Sequence, residues 1–523
     1  MHRAKTLVVV SVAGQTPQAM VQTAELAVRN GADAIELRLD ALNRLDRDQV
    51  QGLVRAVRQQ VADRPIIATC RDKAEGGLSD YPVGDRIAAY QAALQAGVDW
   101  VDIELSNYIR PEVGQAIDLA LGSRPNARLI LSSHSWAGPF ADIEQVYRQT
   151  IAACPHAVPK LVYMANHICD CLSGLDLLHR AKTDLIVFCM GQAGLITRLL
   201  AKKLGGLFTY ATCQDQQPVA PGQLPVEQVK GLYRFGSTGP GTQVFGLVGD
   251  PVAHSIGPYV HNTCLAGMGI DGIYLPLLVT GGREGLFAFL EQFTARPWLD
   301  LKGLSVTLPH KQYALEFIDA RSGQIEPLAR RIGAVNTVVF TDEGIAGYNT
   351  DYIGAMDAIY QVIGRSGQGL VGWPVAVIGA GGVARAVVAG LCDAGAKVKI
   401  FNRTISKAQD LAKQFGCGYV PLDELGRYGA RLLINCTSVG MEPYVDRSPV
   451  PSDVISPGMI VFDTVYNPIK TRLLQMAQGR GCQCIDGLWM YAHQAAAQLE
   501  LFTGRRIDAG QIRQLALSRL QHS

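Results

Sequence analysis

Eight short, nearly continuous apolar runs punctuate the first 210 residues, and amphipathic stretches such as Gln18–Arg29 and Gln49–Val61 fill the spaces between them. The runs are Leu7–Val12, Ala34–Leu39, Pro65–Cys70, Trp100–Leu105, Arg128–Ser133, Lys160–Ala165, Leu185–Met190 and Leu207–Ala211. Strands that do not alternate polar with apolar residues are covered on both faces, and parallel strands need crossover helices to join them. Eight such units predict an α/β fold that opens with a parallel (β/α)8 barrel; an open eight-unit sheet is the alternative. The full 523 residues have room for roughly three domains.

Composition narrows the function. Lys and Arg number 48 against 46 Asp and Glu, a net charge of +2, so no basic excess points to nucleic acid or an anionic membrane. No apolar run reaches the roughly 18 residues of a membrane span. Leu7–Val12 and the turn Gly14-Gln15-Thr16 follow Met1–Thr6 directly, which leaves no leader pattern and predicts a cytoplasmic protein. The 12 cysteines are scattered, and Cys169-Asp-Cys171 and Cys482-Gln-Cys484 lack the spacing and His partners of a zinc site. Reduced thiols and no metal are expected, and nothing points to a particular oligomeric state.

A parallel barrel places its chemistry where its strands end. Ser11, Glu36, Arg38, Arg71, Glu75, His134, Lys160, Arg198 and Gln223 gather there. Taken singly, each is equally a rim residue or a member of an internal ion pair. Lys160 stands apart, because Leu161-Val162-Tyr163-Met164 follows it. A lysine buried among apolar groups favours its neutral form. A neutral amine attacks a ketone to give a Schiff base, and nearby arginines would hold an anionic substrate.

The ordered set Glu36-Leu-Arg38, Arg71-x3-Glu75-Gly-Gly, Ser133-His134, Lys160, Gly191-x6-Arg198 and Ala220-Pro-Gly-Gln223 resembles the type I 3-dehydroquinate dehydratases over nearly all of residues 5–235. The resemblance implies an imine between Lys160 and the substrate ketone. His134 would move the proton, Glu75 would orient His134, and Arg198 would bind the carboxylate. Ser11, Glu36, Arg38, Arg71 and Gln223 would hold the hydroxyls and the ketone region. Two residues depart from the family pattern: Val219 stands where a serine is usual, and Pro159 precedes the lysine. Weakened dehydratase activity is expected.

A closing helix over Pro225–Arg234 and a Gly/Pro linker over 236–242 end the first part. Further on, strand Val375–Ile378 runs into Gly379-Ala380-Gly381-Gly382-Val-Ala384 and a helical stretch. This is the dinucleotide turn in its strand–turn–helix context. The next strand ends Asn402-Arg403-Thr404, with Lys407 one turn on and no carboxylate. Missing acid plus two cations favours NADP over NAD. Lys311, which follows an apolar run, and Asp351 could face each other across a cleft as proton donor and partner; a structural salt bridge is the alternative.

Those features, with His254-Ser255, Thr307, Gly333-Ala-Val-Asn336-Thr, Asn435-Cys-Thr437-Ser-Val-Gly-Met441, Asp463-x2-Tyr466-x-Pro and Gln494, resemble the shikimate dehydrogenases from about residue 243 to 515. The resemblance implies reversible NADPH-dependent reduction of 3-dehydroshikimate to shikimate, with Lys311 as general acid/base and Asp351 as its partner. Ser255, Thr307, Asn336, Tyr466 and Gln494 would position the substrate. Gly379, Ala380, Gly381, Gly382, Ala384, Asn402, Arg403, Thr404, Lys407, Thr437, Met441 and Gly487 would hold the cofactor.

The implied layout is a dehydratase barrel over 1–235, the linker 236–242, a substrate lobe over 243–350 and 490–523, and a Rossmann-type NADP lobe over 351–489. Since the first activity makes what the second consumes, the expectation is a bifunctional enzyme acting on small molecules. Gly257, where the family turn usually has serine, opens a quinate dehydrogenase with an attached dehydratase as the alternative. A metabolite-sensing regulator on the same folds is a third reading. It has no need of Lys160, His134, Lys311 and Asp351, yet all four are present.

Overall fold

The structure, a computed structural model, describes residues 5–213, 220–253, 255–364 and 369–521. Val219 and His254 lie outside the described residues. The chain folds as two compact units. The first comprises Met1–Gln243 with Gly269–Thr280 and Glu291–Asp300; the second comprises Val244–Met268, Gly281–Leu290 and Leu301–Ser523.

The first unit opens with eight parallel strands: β1 (Leu7–Val12), β2 (Ala34–Arg38), β3 (Ile66–Thr69), β4 (Trp100–Glu104), β5 (Arg128–Ser135), β6 (Val158–Met164), β7 (Ile186–Met190) and β8 (Phe208–Ala211). Their order is β7-β6-β5-β4-β3-β2-β1-β8. At the remaining seam the Leu207 amide donates to Leu185 O at 2.9 Å, so a barrel results rather than an open sheet. The apolar runs foresaw each strand to within two residues. β6 begins two residues early and carries Pro159 inside it, which makes Lys160 its third residue. The expected closing helix is instead a wide helical turn over Gln228–Leu232, tied down by Lys230 Nζ on Asp33 at 2.7 Å.

Side chains alternate along a strand with period two, and that alternation builds the barrel interior in tiers. Val9, Ala34, Ile67, Trp100, Ile130, Val158, Ile186 and Phe208, one from each strand, pack together as an apolar floor. Two residues further along each strand stand Ser11, Glu36, Thr69, Asp102, Ser132, Lys160, Phe188 and Tyr210, all buried. Seven of these eight carry a polar side-chain group, and Phe188 is the exception. The outward residues between them, such as Val10, Ile35, Ala68, Val101 and Leu131, pack against Met20, Ala24, Val50, Leu53 and other helix residues. The apolar runs were therefore apolar mainly on their outer face.

Twelve further strands follow: β9 (Gln243–Gly249), β10 (Gly272–Leu278), β11 (Leu301–Val306), β12 (Gln324–Ile325), β13 (Thr337–Thr341), β14 (Gly344–Tyr348), β15 (Pro374–Ile378), β16 (Lys397–Asn402), β17 (Gly418–Pro421), β18 (Leu432–Asn435), β19 (Ile460–Asp463) and β20 (Gln483–Ile485). Within the second unit a mixed sheet runs β9-β11-β13-β14-β12, and a separate sheet, parallel throughout, runs β17-β16-β15-β18-β19-β20. In chain order the latter reads 3-2-1-4-5-6, the doubly wound order whose direction reverses between its first and fourth strands. Helix Gly487–Thr503 returns to the mixed sheet. There Gln498 accepts from Ser305 Oγ at 2.8 Å and donates to Thr337 Oγ1 at 3.0 Å.

Candidate active sites

The second tier of the barrel is a closed network of charge. Lys160 is only 3% exposed, yet its surroundings are not apolar. Its Nζ lies 2.6 Å from Asp102 Oδ2 and 3.4 Å from Glu36 Oε1, and 4.1 Å above the Tyr210 ring. Arg71 shares Asp102 at 2.9 Å, meets Glu104 at 2.8 Å and donates to Ser132 Oγ at 2.6 Å. Glu36 accepts from Ser11 Oγ at 2.6 Å and from Thr69 Oγ1 at 3.0 Å. Burial pushes the Asp102 carboxyl up, but Arg71 and Lys160 overcome this and hold it well below the usual carboxylate range. The expectation of a lysine set among greasy neighbours is thus corrected: its amine is paired with two carboxylates, Asp102 and Glu36. Asp102, Glu104, Thr69, Ser132 and Tyr210 were missed. Their signal was positional, since Asp102 and Glu104 stand two and four residues after the floor residue Trp100 on one strand.

Above this tier, Glu75 Oε2 lies 3.0 Å from His134 Nδ1 and accepts the His134 amide at 3.1 Å. Burial lifts the Glu75 carboxyl to about 7 against the opposing pull of Arg71. Burial, helped by Arg71 and Lys160, pushes the His134 imidazole well below its ordinary range, so the ring is neutral. With Glu75 ionised, the ring proton sits on Nδ1 and Nε2 is left as a base.

Arg198, on the short helix Leu195–Leu199, lies over the Phe188 ring at 4.3 Å. Its Nη1 makes a long contact of 3.4 Å with Tyr210 O, while its buried Nε and Nη2 have no partner among the described residues. Burial lowers this guanidinium to about 10. Gly222, at φ +80, presses so closely on the turn after β7 that a Cβ there would come within 2.4 Å of Gly191 O. That contact seats buried Gln223 beside the same turn. Arg38 turns away into a bidentate pair with Asp40 at 2.9 and 2.8 Å.

In the second unit, Lys311 Nζ meets Asp351 Oδ2 at 2.5 Å. Asn336 Nδ2 donates to the other Asp351 oxygen at 2.9 Å and to Thr350 Oγ1 at 3.0 Å. Lysine, aspartate and asparagine thus converge as expected. Ser255 Oγ caps the Gly257 amide at 3.0 Å, and the Thr307 amide is tied to Val248 O at 2.9 Å. The Tyr466 ring stands 5.3 Å from Tyr491, three residues before Gln494 on the same helix. Gln498, one turn beyond Gln494, was missed as the bond that ties this helix to Ser305 and Thr337.

The glycine-rich turn fits a dinucleotide. Gly379 adopts φ +110, and a Cβ there would stand 3.0 Å from Thr437 Cγ2 and 3.1 Å from Cys436 O. Thr437 is held in turn by Asn435 Oδ1, through its amide at 3.0 Å and its hydroxyl at 2.7 Å. Gly381 caps helix Gly382–Asp393, in which Ala384 is buried, and Ala380 precedes it. A Cβ on Gly382 would lie 3.3 Å from Lys311 Cδ, so the lysine abuts the first helical turn. Arg403, Thr404 and Lys407 are exposed at the end of β16, where Asn402 Nδ2 bonds Thr404 O at 2.8 Å. Met441 is exposed and Gly487 packs on Thr464 O. Cations and amide donors without an acid suit a phosphorylated ribose.

Residues 8–239 match the type I 3-dehydroquinase family and residues 247–338 the shikimate dehydrogenase substrate binding domain. Residues 365–463 match the shikimate / quinate 5-dehydrogenase family and residues 487–517 the shikimate 5'-dehydrogenase C-terminal domain. The chloroplastic bifunctional 3-dehydroquinate dehydratase/shikimate dehydrogenase of Arabidopsis thaliana is 34% identical over 91% of this chain and 78% of its own. The shikimate dehydrogenase (NADP(+)) of Haloarcula marismortui is 42% identical over 50% of this chain and 93% of its own. The solved dehydroquinate dehydratase and shikimate dehydrogenase of S. pombe AroM covers 98% of both chains at 25% identity and a TM-score of 0.42.

Asp102→Asn removes the anion that Lys160 and Arg71 share and leaves the two buried cations with only Glu36 and Glu104 as counter-charge. Urea denaturation should show a loss of about 3–5 kcal/mol.

Proposed function

Because the chain belongs to the family of bifunctional 3-dehydroquinate dehydratase/shikimate dehydrogenases, we propose that its two lysine sites act in sequence. The barrel converts 3-dehydroquinate to 3-dehydroshikimate and water, and the second unit reduces that product to shikimate with NADPH. One observation carries the reading: each lysine is paired with a carboxylate at the place where its chemistry is needed, buried Lys160 with Asp102 and half-buried Lys311 with Asp351.

In the barrel, Lys160 gives up a proton and adds to the ring ketone, and water leaves as the imine forms. The imine nitrogen keeps a positive charge, so Asp102 and Glu36 serve the iminium as they served the ammonium, with no new charge buried. The iminium draws electrons from the adjacent C–H. His134 Nε2 takes that proton and returns it to the departing hydroxyl, which leaves as water. Arg198, with two unpartnered buried N–H groups, holds the substrate carboxylate, and hydrolysis frees Lys160.

In the second unit, bound NADPH supplies the hydride. Lys311, fixed by Asp351, gives a proton to the ketone oxygen as it becomes a hydroxyl and takes it back in the reverse direction. Asn336 and Thr350 keep Asp351 in line. Gly379–Ala384 and Thr437 cradle the pyrophosphate end, and Arg403, Thr404 and Lys407 receive the 2′-phosphate. The reading assigns the dehydratase to residues 1–235 and the reductase to residues 243–523. It carries a cytoplasmic location with it, supported by twelve cysteines that form no disulfide.

Three outcomes follow for the purified chain supplied with 3-dehydroquinate and NADPH. Lys160→Ala and Lys311→Ala each cut overall conversion by at least about a hundredfold, and only Lys311→Ala accumulates 3-dehydroshikimate on product analysis. Dehydratase kcat/KM falls as pH drops below about 7, where Glu75 gains a proton and loses the negative charge that supports His134 as a base. Initial rates between about pH 5 and about pH 9 should show this limb, and Glu75→Gln, which has no charge to lose, should flatten it at the low-pH level. Gly257 supports quinate as a second substrate, since no side chain crowds a C1 hydroxyl there. Gly257→Ser should shift the shikimate-to-quinate ratio of kcat/KM by about tenfold toward shikimate in steady-state oxidation assays.

A further inference from the structure

Tyr210 sits in the second tier of the barrel, and the charge network there makes no use of its hydroxyl. The residue is 3% exposed, and its hydroxyl is buried without a hydrogen-bond partner among the described residues. Buried hydroxyls are ordinarily satisfied, so an orphan of this kind asks for an explanation. Packing supplies none. The ring already does what a phenylalanine ring would do, lying 4.1 Å beneath Lys160 Nζ and 5.2 Å from the Phe188 ring. The hydroxyl adds only the cost of an unpaired dipole.

The orphan has company. Arg198 Nε and Nη2 are equally buried and unpartnered, and Arg198 lies on the other aromatic of the pair, 4.3 Å from the centre of Phe188. Three donor atoms of two neighbouring side chains are therefore withheld from the protein, next to the amine that attacks the ketone. Every other polar member of the tier is bonded: Ser11 and Thr69 to Glu36, Ser132 to Asp102. Burial, with Glu36 and Asp102 adding to it, pushes the Tyr210 phenol well above its ordinary range. The group stays neutral at working pH and can donate.

We propose that Tyr210 is a substrate-binding residue whose hydroxyl donates to the carboxylate held by Arg198. The inference rests on the dehydratase reading of the barrel and adds a second, uncharged donor to the anchor. A carboxylate offers about four acceptor positions, more than one guanidinium fork occupies. A donor on the ring that lies against Lys160 links the anchoring of the substrate to its reacting end.

Tyr210→Phe isolates the hydroxyl, because the ring and its contacts remain. KM for 3-dehydroquinate should rise about tenfold, the effect of one lost bond to a charged group, while kcat changes less than about twofold. NADPH-dependent reduction of 3-dehydroshikimate should be unchanged. The thermal midpoint of the ligand-free chain should hold or rise, because the change removes an unpaired dipole. A KM equal to that of the unmodified chain overturns the inference alone. So does a lowered midpoint, or failure to fold, since either means that the hydroxyl has a partner in the free protein. Absence of dehydratase turnover and of a borohydride-trapped Lys160 adduct in the unmodified chain overturns the dehydratase reading, and the inference with it.

Discussion

A carboxylate shared by two buried cations governs the barrel. Asp102 contacts both Lys160 and Arg71, and taking any one of the three out of water alone would cost several kcal/mol. The arrangement is tolerable only because its lone pairs and protons are nearly all used. Glu104 and Ser132 complete Arg71, while Glu36, braced by Ser11 and Thr69, completes Lys160. Such closure needs side chains from six strands at one level, and the apolar floor beneath supplies the rigid base that fixes the level. Fold and site are here the same requirement, because the polar tier closes only where the strands close.

The second unit meets a similar demand with fewer parts. Lys311 has one carboxylate, Asp351, and that carboxylate has Asn336 as its brace. The pair is less deeply enclosed, with side-chain exposures of 11% and 7% against 4% and 0% for Lys160 and Asp102. A shallower pair has a smaller desolvation cost to offset, which is why one brace suffices. In the proposed reaction sequence Lys160 bonds to the carbon of a ring carbonyl, whereas Lys311 only passes a proton to its oxygen. Deep enclosure with extra counter-charge suits the first task, and a position beside the dinucleotide turn suits the second.

The sequence disclosed what rests on local pattern. Continuous apolar runs located all eight barrel strands, because outward-facing residues such as Val10, Ile35 and Val101 must face helices whatever lies inside. Strand–turn–helix context exposed Gly379–Ala384, whose geometry is set by neighbours in the chain. What stayed hidden depends on residues brought together from afar. Lys160 read as a lysine among apolar residues because Leu161 and Tyr163, its chain neighbours, point the other way, while Asp102 lies 58 positions upstream. Tyr210 drew no notice within the run Leu207–Ala211, because only the folded barrel shows its hydroxyl to lack a partner among the described residues. The helix drawn over Pro225–Arg234 formed only as a wide helical turn over Gln228–Leu232, which also carries the tie of Lys230 to Asp33.

The tiers of the barrel have a bearing on how its genes can vary. Every working side chain in the wall sits an even number of positions from a floor residue of its own strand, so chemistry is written in parity. A substitution changes one letter of that code, whereas a single-codon insertion or deletion inside a strand swaps even for odd and turns its whole polar set outward into the helical jacket. Lineages descended from such a barrel are free to lengthen the segments between strands, but within a strand they can drift only by replacement.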